Sequence, residues 1–175
     1  MLALIGLAVG ATALVLVGLA LTKSDTFRVV RSATIKAPPA KIYPLIADFR
    51  QWRAWSPWER LDPALKRAYE GPPTGKGAVY AWDGAGKVGA GRMEITESVP
   101  PASVAIDLRF IKPWEGRSKA LFTLAPDGDG TTVTWSMNGP NPFVAKLMQV
   151  FFDSEQMVGQ DFADGLANLK AAAEQ

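Results

Sequence analysis

The chain has 175 residues, with 19 Lys and Arg against 17 Asp and Glu, and it contains no histidine and no cysteine. Those absences exclude a histidine general base, a Ser-His-Asp triad, thiol nucleophiles, disulfides, and zinc sites built on Cys or His. A net charge of +2 without a basic cluster gives no argument for nucleic acid as a partner.

Every charged side chain lies after residue 22. The run Leu2 to Leu21, LALIGLAVGATALVLVGLAL, has Thr12 as its only polar residue. Twenty helical residues span roughly 30 Å, the thickness of a bilayer's hydrocarbon core, so residues 1–22 are expected to be an N-terminal transmembrane helix and single-pass anchor. Gly18-Leu19-Ala20 has the form of a signal-cleavage site. A retained anchor is preferred, because no Lys or Arg precedes the run and it outlasts an ordinary signal-peptide core. Lys23, Arg28, Arg31, Lys36 and Lys41 follow it, which favours a cytoplasmic position for the rest of the chain. The extracytoplasmic side stays open, since Arg28 onward reads as strand. Gly6-x-x-x-Gly10 has the spacing of a helix-dimerisation motif, a weak sign of a helix-mediated dimer.

Residues 23–26 read as a short hinge before one folded domain, 27–175. Phe27 to Ala37 is rich in β-branched residues and stops at Pro38-Pro39, as a strand does. From Lys41 to Trp52, Ile42, Leu45, Ile46 and Phe49 mark a helical face that Pro44 kinks or shortens. Short alternating segments follow at 76–83, 92–98, 103–112, 116–124 and 131–138, with a weaker one at 65–70. Their turn-rich connections make an antiparallel meander. Gly84 to Gly89 matches the dinucleotide fingerprint letter by letter, yet strand alternation follows it where a phosphate-binding helix would be needed, so it is read as a hairpin turn. Asp127 to Gly130 lacks the calcium-loop ladder and is also a turn. Asn141 and Pro142 then open a long helix, 143–173. The fold class is α+β: a curved antiparallel sheet wrapped around a long C-terminal helix.

Alternation turns Tyr80, Trp82, Ile95, Leu108, Phe110, Phe122 and Trp135 inward from the strands, and Phe151, Val158 and Phe162 lie on one stripe of the last helix. These residues line the space between sheet and helix, which the pattern alone leaves open as a packed core or a cavity. Glu155 lies within the same stripe, either at a cavity mouth with a raised pKa or reaching solvent or an arginine. Trp52, Trp55 and Trp58 recur every third residue, as a core plug, a cavity rim or a membrane-interface contact, of which the plug is preferred.

The segments IKAPPAKIYPLIADFRQWRAWSPWERLDP, GAGRMEI and GQDFADGLANLKA resemble the SRPBCC superfamily, in its polyketide cyclase/dehydrase-and-lipid-transport-like branch, over residues 27–173. The resemblance implies a helix-grip fold enclosing a hydrophobic cavity, and Pro44 departs from the usual pattern of the first helix. The expected function is therefore membrane-tethered binding or transfer of a hydrophobic small molecule, such as a lipid, a quinone or a polyketide-like aromatic, with no cofactor and no metal. Ligand contacts are expected from Tyr80, Trp82, Ile95, Leu108, Phe110, Phe122, Trp135, Phe151, Glu155, Val158 and Phe162. Two alternatives remain. A cyclase or dehydratase would draw its proton-transfer group from Glu155, Tyr80, Tyr43 or Asp161, and a protein-interaction module would dock through the tryptophans.

Overall fold

The computed structural model describes residues 2–86, 88–151 and 154–175, apart from the side chains of 2–9, 154 and 155. Helix α1 (Leu2–Leu21) leads to strand β1 (Thr26–Ile35), and helix α2 (Pro39–Ala47) follows. A 3-10 turn (Phe49–Gln51), the short helix α3 (Trp52–Trp55) and a second 3-10 turn (Pro57–Arg60) precede strands β2 (Lys66–Glu70), β3 (Val79–Asp83), β4 (Ala90–Val99), β5 (Ser103–Lys112), β6 (Gly116–Asp127) and β7 (Gly130–Pro140). Helices α4 (Phe143–Met148) and α5 (Ser154–Ala173) close the chain.

The expected transmembrane helix is not found: among the described residues no helix is long and apolar enough to cross a membrane. Within the proposed dimerisation spacing, Gly6 lies outside the described side chains, while a Cβ on Gly10 would meet nothing within 4 Å. The end of α1 is capped by the Thr22 hydroxyl, which donates to the Leu19 carbonyl at 2.7 Å.

All seven strands form one antiparallel sheet in the order β1-β7-β6-β5-β4-β3-β2, so the first strand lies beside the last. Register shifts at Ala90/Gly91 and Ile95/Glu97 of β4 bend the sheet where it must curl. Helix α5 lies along the concave side, burying Phe162, Leu166, Leu169 and Ala173. Its C-terminal half is pinned: Asn168 Nδ2 donates to the Trp55 carbonyl at 3.1 Å and Lys170 Nζ to the Thr34 carbonyl at 3.0 Å.

Two helices differ from their sequence readings. The first stops at Ala47 instead of Trp52, because the Asp48 backbone is extended and its carboxylate accepts from the Arg50 N–H at 2.9 Å to begin the 3-10 turn. The helix expected to run unbroken over 143–173 is two helices, and Phe151 falls in the turn between them. Helix α4 is held toward α1: Asn141 Nδ2 donates to the Ser24 carbonyl at 2.9 Å, Asn141 and Gln149 exchange side-chain bonds, and the buried Lys146 pairs with Asp25. That Lys146 hydrogen bond holds the Asp25 carboxyl below the usual carboxylate range.

Candidate functional site

A cavity of about 360 Å³ opens between the concave face of the sheet and α5. Its walls come from alternate positions of the strands: Tyr80 and Trp82 on β3, Met93 on β4, Leu108 and Phe110 on β5, Ala120 on β6, and Trp135 and Met137 on β7. Helix α5 contributes Val158, Asp161 and Phe162, and the segment after α2 contributes Trp52, Ser56, Trp58 and Glu59. The rim includes Lys112, Pro113 and the largely exposed Trp114 of the β5–β6 turn.

The aromatic wall is shaped by glycines. A Cβ on Gly91 would stand 2.4 Å from the Trp82 ring, so only glycine lets that indole lie flat across β4. A Cβ on Gly165 would stand 2.9 Å from the Trp135 ring, and the missing side chain lets Trp135 stack on Phe162 with ring centroids 3.9 Å apart and planes within 9°. Trp58 meets both of those rings edge-on, at 5.7 and 6.2 Å. The Trp135 indole nitrogen is buried and has no hydrogen-bond partner among the described residues, a cost accepted for the stacking.

The tryptophan triplet divides its work. The Trp52 and Trp55 indoles donate to the carbonyls of Ile46 at 2.9 Å and Leu45 at 2.8 Å, so they satisfy the open carbonyls at the end of α2 while filling the core. Trp55 is wholly buried, Trp52 is buried and borders the cavity, and Trp58 lines it half-exposed. The preferred core-plug reading fits Trp55, and Trp58 belongs to the cavity wall.

One polar network enters this apolar enclosure. Glu59 projects from the second 3-10 turn with its side chain only 5% exposed. Arg67 Nε donates to Glu59 Oε2 at 2.7 Å, and a second guanidinium nitrogen reaches the Glu59 carbonyl at 3.2 Å. The Tyr80 hydroxyl donates to Glu59 Oε1, and the Tyr80 ring stacks on Tyr69 at 5.2 Å. Burial, and then this hydrogen bond, push the Tyr80 phenol well above its ordinary pKa, so it stays a neutral donor. The Glu59 bond raises the Arg67 guanidinium further.

Of the residues read from the sequence as ligand contacts, Tyr80, Trp82, Leu108, Phe110, Trp135, Val158 and Phe162 line this cavity. Ile95 and Phe122 are fully buried in the packed core beyond it and do not line it. Phe151 is 62% exposed and lies away from the cavity, a consequence of the break between α4 and α5. Glu155 falls outside the described side chains. Among the proton-transfer candidates, Tyr80 and Asp161 line the cavity, whereas Tyr43 is buried elsewhere and hydrogen-bonds Ser98. Glu59 and its partner Arg67 were not anticipated from the sequence. Among the described residues no group of three or more His, Cys, Asp or Glu is placed to hold a metal ion.

A family model described as polyketide cyclase / dehydrase and lipid transport matches residues 26–174. Among solved structures, the di-domain ARO/CYC protein BexL of the BE-7585A biosynthetic pathway superposes with a TM-score of 0.63 at 18% identity, over 91% of this chain and 53% of that one. The Aha1 dimer from Colwellia psychrerythraea gives 0.60 at 18% identity, over 85% and 96%. Ara h 8.0201 gives 0.58 at 16% identity, over 85% and 97%. At these identities the likeness is one of fold. No curated protein sequence matches the chain.

Proposed function

The chain belongs to the polyketide cyclase/dehydrase and lipid transport family, within the SRPBCC helix-grip superfamily, and from that premise we propose that it binds an apolar small molecule in the cavity between sheet and helix and holds or hands it on at a membrane. The observation that carries the reading is the wall itself: eleven side chains of the strands and α5, five of them aromatic and all but one of the rest apolar, face an unfilled volume of about 360 Å³. Burying an apolar ligand there gains roughly 25 cal/mol per Å² of apolar surface removed from water. The volume suits a compact aromatic, a quinone head or part of a lipid chain.

The membrane side of the reading rests on sequence and on exposure. Residues 2–21 carry no charged side chain. Where side chains are described, Leu14, Val15 and Leu21 of α1 are exposed, and so are Phe143, Val144 and Met148 of the neighbouring α4. Exposed apolar surface of this extent marks a contact with lipid or with another protein. The positive residues that follow the run favour a cytoplasmic domain.

Native mass spectrometry of the full chain, extracted from the membranes of its expression host, tests the binding reading. A co-purifying apolar small molecule in the wild type, lost in Ala120→Trp, is the expected result. An empty protein that also takes up nothing from a panel of lipids and aromatics overturns it. Because the chain has no cysteine, a single cysteine at position 24 reports sidedness without background. Labelling only after the membrane is opened is expected.

An enzymatic reading rests on the Tyr80–Glu59 pair and Asp161, the acidic groups of the wall. Turnover of a polyketide-like substrate, abolished in Tyr80→Phe, would favour it over carriage.

A further inference from the structure

Building on the cavity's role as an apolar binding site, we propose that Glu59 is its recognition group and selects neutral ligands that carry a hydroxyl donor, a phenol or an alcohol, over ligands that end in a carboxylate. An ionised carboxylate offers about four acceptor positions. Arg67 occupies one on Oε2 and Tyr80 one on Oε1, which leaves acceptor capacity on both oxygens of a side chain that borders the cavity. The Glu59 side chain is almost wholly withdrawn from solvent, and the wall it belongs to includes Trp58, Leu65, Tyr80 and Trp82. A desolvated acceptor in such surroundings favours a donor on the ligand and penalises a ligand that leaves it unmet.

The charges around the wall point the same way. The described lining carries two carboxylates, Glu59 and Asp161, each already engaged, and neither can receive a ligand anion. Among the described lining residues the only cation is Lys112, which sits exposed at the rim and pairs with Asp83 at 3.4 Å. An anionic head would therefore have to stay at the mouth, while a hydroxyl is drawn to the inner wall. Arg67 and Tyr80 fix the orientation of the carboxylate before any ligand arrives, so the donor meets a pre-aimed acceptor.

The test compares three ligands of one shape: 2-methylnaphthalene, 2-naphthol and 2-naphthoate. Each is titrated calorimetrically at neutral pH into the detergent-solubilised full chain, with partition into protein-free micelles subtracted. The expected ranking puts naphthol about tenfold tighter than methylnaphthalene, as a hydrogen bond to a charged acceptor supplies, with naphthoate the weakest. In Glu59→Gln the naphthol advantage is expected to fall about tenfold while methylnaphthalene binds as before. Naphthol and methylnaphthalene binding equally, or naphthoate binding as tightly as naphthol, overturns the proposal and leaves the cavity reading standing. Failure of all three to bind overturns the cavity reading itself. If Glu59→Gln also loses methylnaphthalene the variant is misfolded, and the wild-type ranking decides alone.

Discussion

The two faces of the sheet are made from the same strands yet obey opposite rules. On the concave face, neighbouring strands place Phe122 opposite Trp135 and Met93 opposite Leu108, and the side chains pack or line the cavity. On the convex face the register sets Arg92 opposite Arg109 and Arg109 opposite Arg117, three like charges in one row across β4, β5 and β6. Arg92 pairs with Glu94 at 3.1 Å, while Arg109 and Arg117 have no ion pair among the described residues. Directly opposed like charges destabilise a sheet by a few tenths of a kcal/mol, a cost small enough to persist only where solvent screens it. Position on the concave face is thus dictated by volume, and position on the convex face is nearly free.

Truncation on either face of one strand tests that contrast most strongly. Phe122→Ala, at a wholly buried site, is expected to cost about 3–5 kcal/mol. Its neighbour Leu121, 41% exposed on the other side, is expected to change stability by less than about 0.5 kcal/mol as Leu121→Ala. Urea denaturation of both variants checks the ratio, and equal losses would break the comparison.

The next effect sharpens the account of the cavity wall. Gly91→Ala places a Cβ against the Trp82 ring and 2.8 Å from the Arg109 carbonyl oxygen, and is expected to cost about 1–3 kcal/mol with a shift of tryptophan fluorescence. Gly86→Ala, in the turn where nothing lies within 4 Å but φ is +59°, carries only the backbone penalty, of about 1 kcal/mol.

The polar network gives a pH signature. The Tyr80 phenol is raised above 10.0 in the folded chain, so its contribution is fully present below that pH. As pH rises past 10, the unfolded chain releases this proton while the folded chain keeps it, and stability falls. Thermal melts between about pH 9 and 11 are expected to show a shallower decline in Tyr80→Phe than in the wild type. Parallel slopes would remove Tyr80 from the network's energetics.

The smallest effect belongs to the convex face. Arg109→Glu places a carboxylate between Arg92 and Arg117 and is expected to stabilise the chain by about 0.2–1 kcal/mol at low salt, a gain that fades as salt is added.

The sheet was legible because alternation is a local signal: each strand from β3 to β7 reports its own inward face within a few residues. Depth along the strand is not local. Ile95 and Phe122 share a face with Met93 and Ala120, but α2 and the Trp52–Trp55 segment fill the space above them, and period-two reading has no term for which end of the sheet is plugged. Phe151 falls after α4, which is tied by Asn141 and Lys146 back to Ser24 and Asp25, more than a hundred residues upstream, contacts that helical periodicity does not report. Glu59 was missed because a glutamate beside an arginine reads as solvated surface. Its burial depends on Arg67 and Tyr80, which only the folded meander brings to it, and Tyr80 was the one member of that network visible as inward-facing.

The central claim, that the concave space is a binding site for apolar molecules, is tested most directly by methyl-labelled methionine. Met93 and Met137 line the cavity, while Met148 and Met157 are exposed elsewhere. In a spectrum of the full chain with carbon-13 methionine methyls, titration with 2-methylnaphthalene is expected to shift the Met93 and Met137 signals in a saturable manner and leave Met148 and Met157 in place. Shifts confined to Met148 and Met157, or no saturable shift at Met93 and Met137, would contradict it.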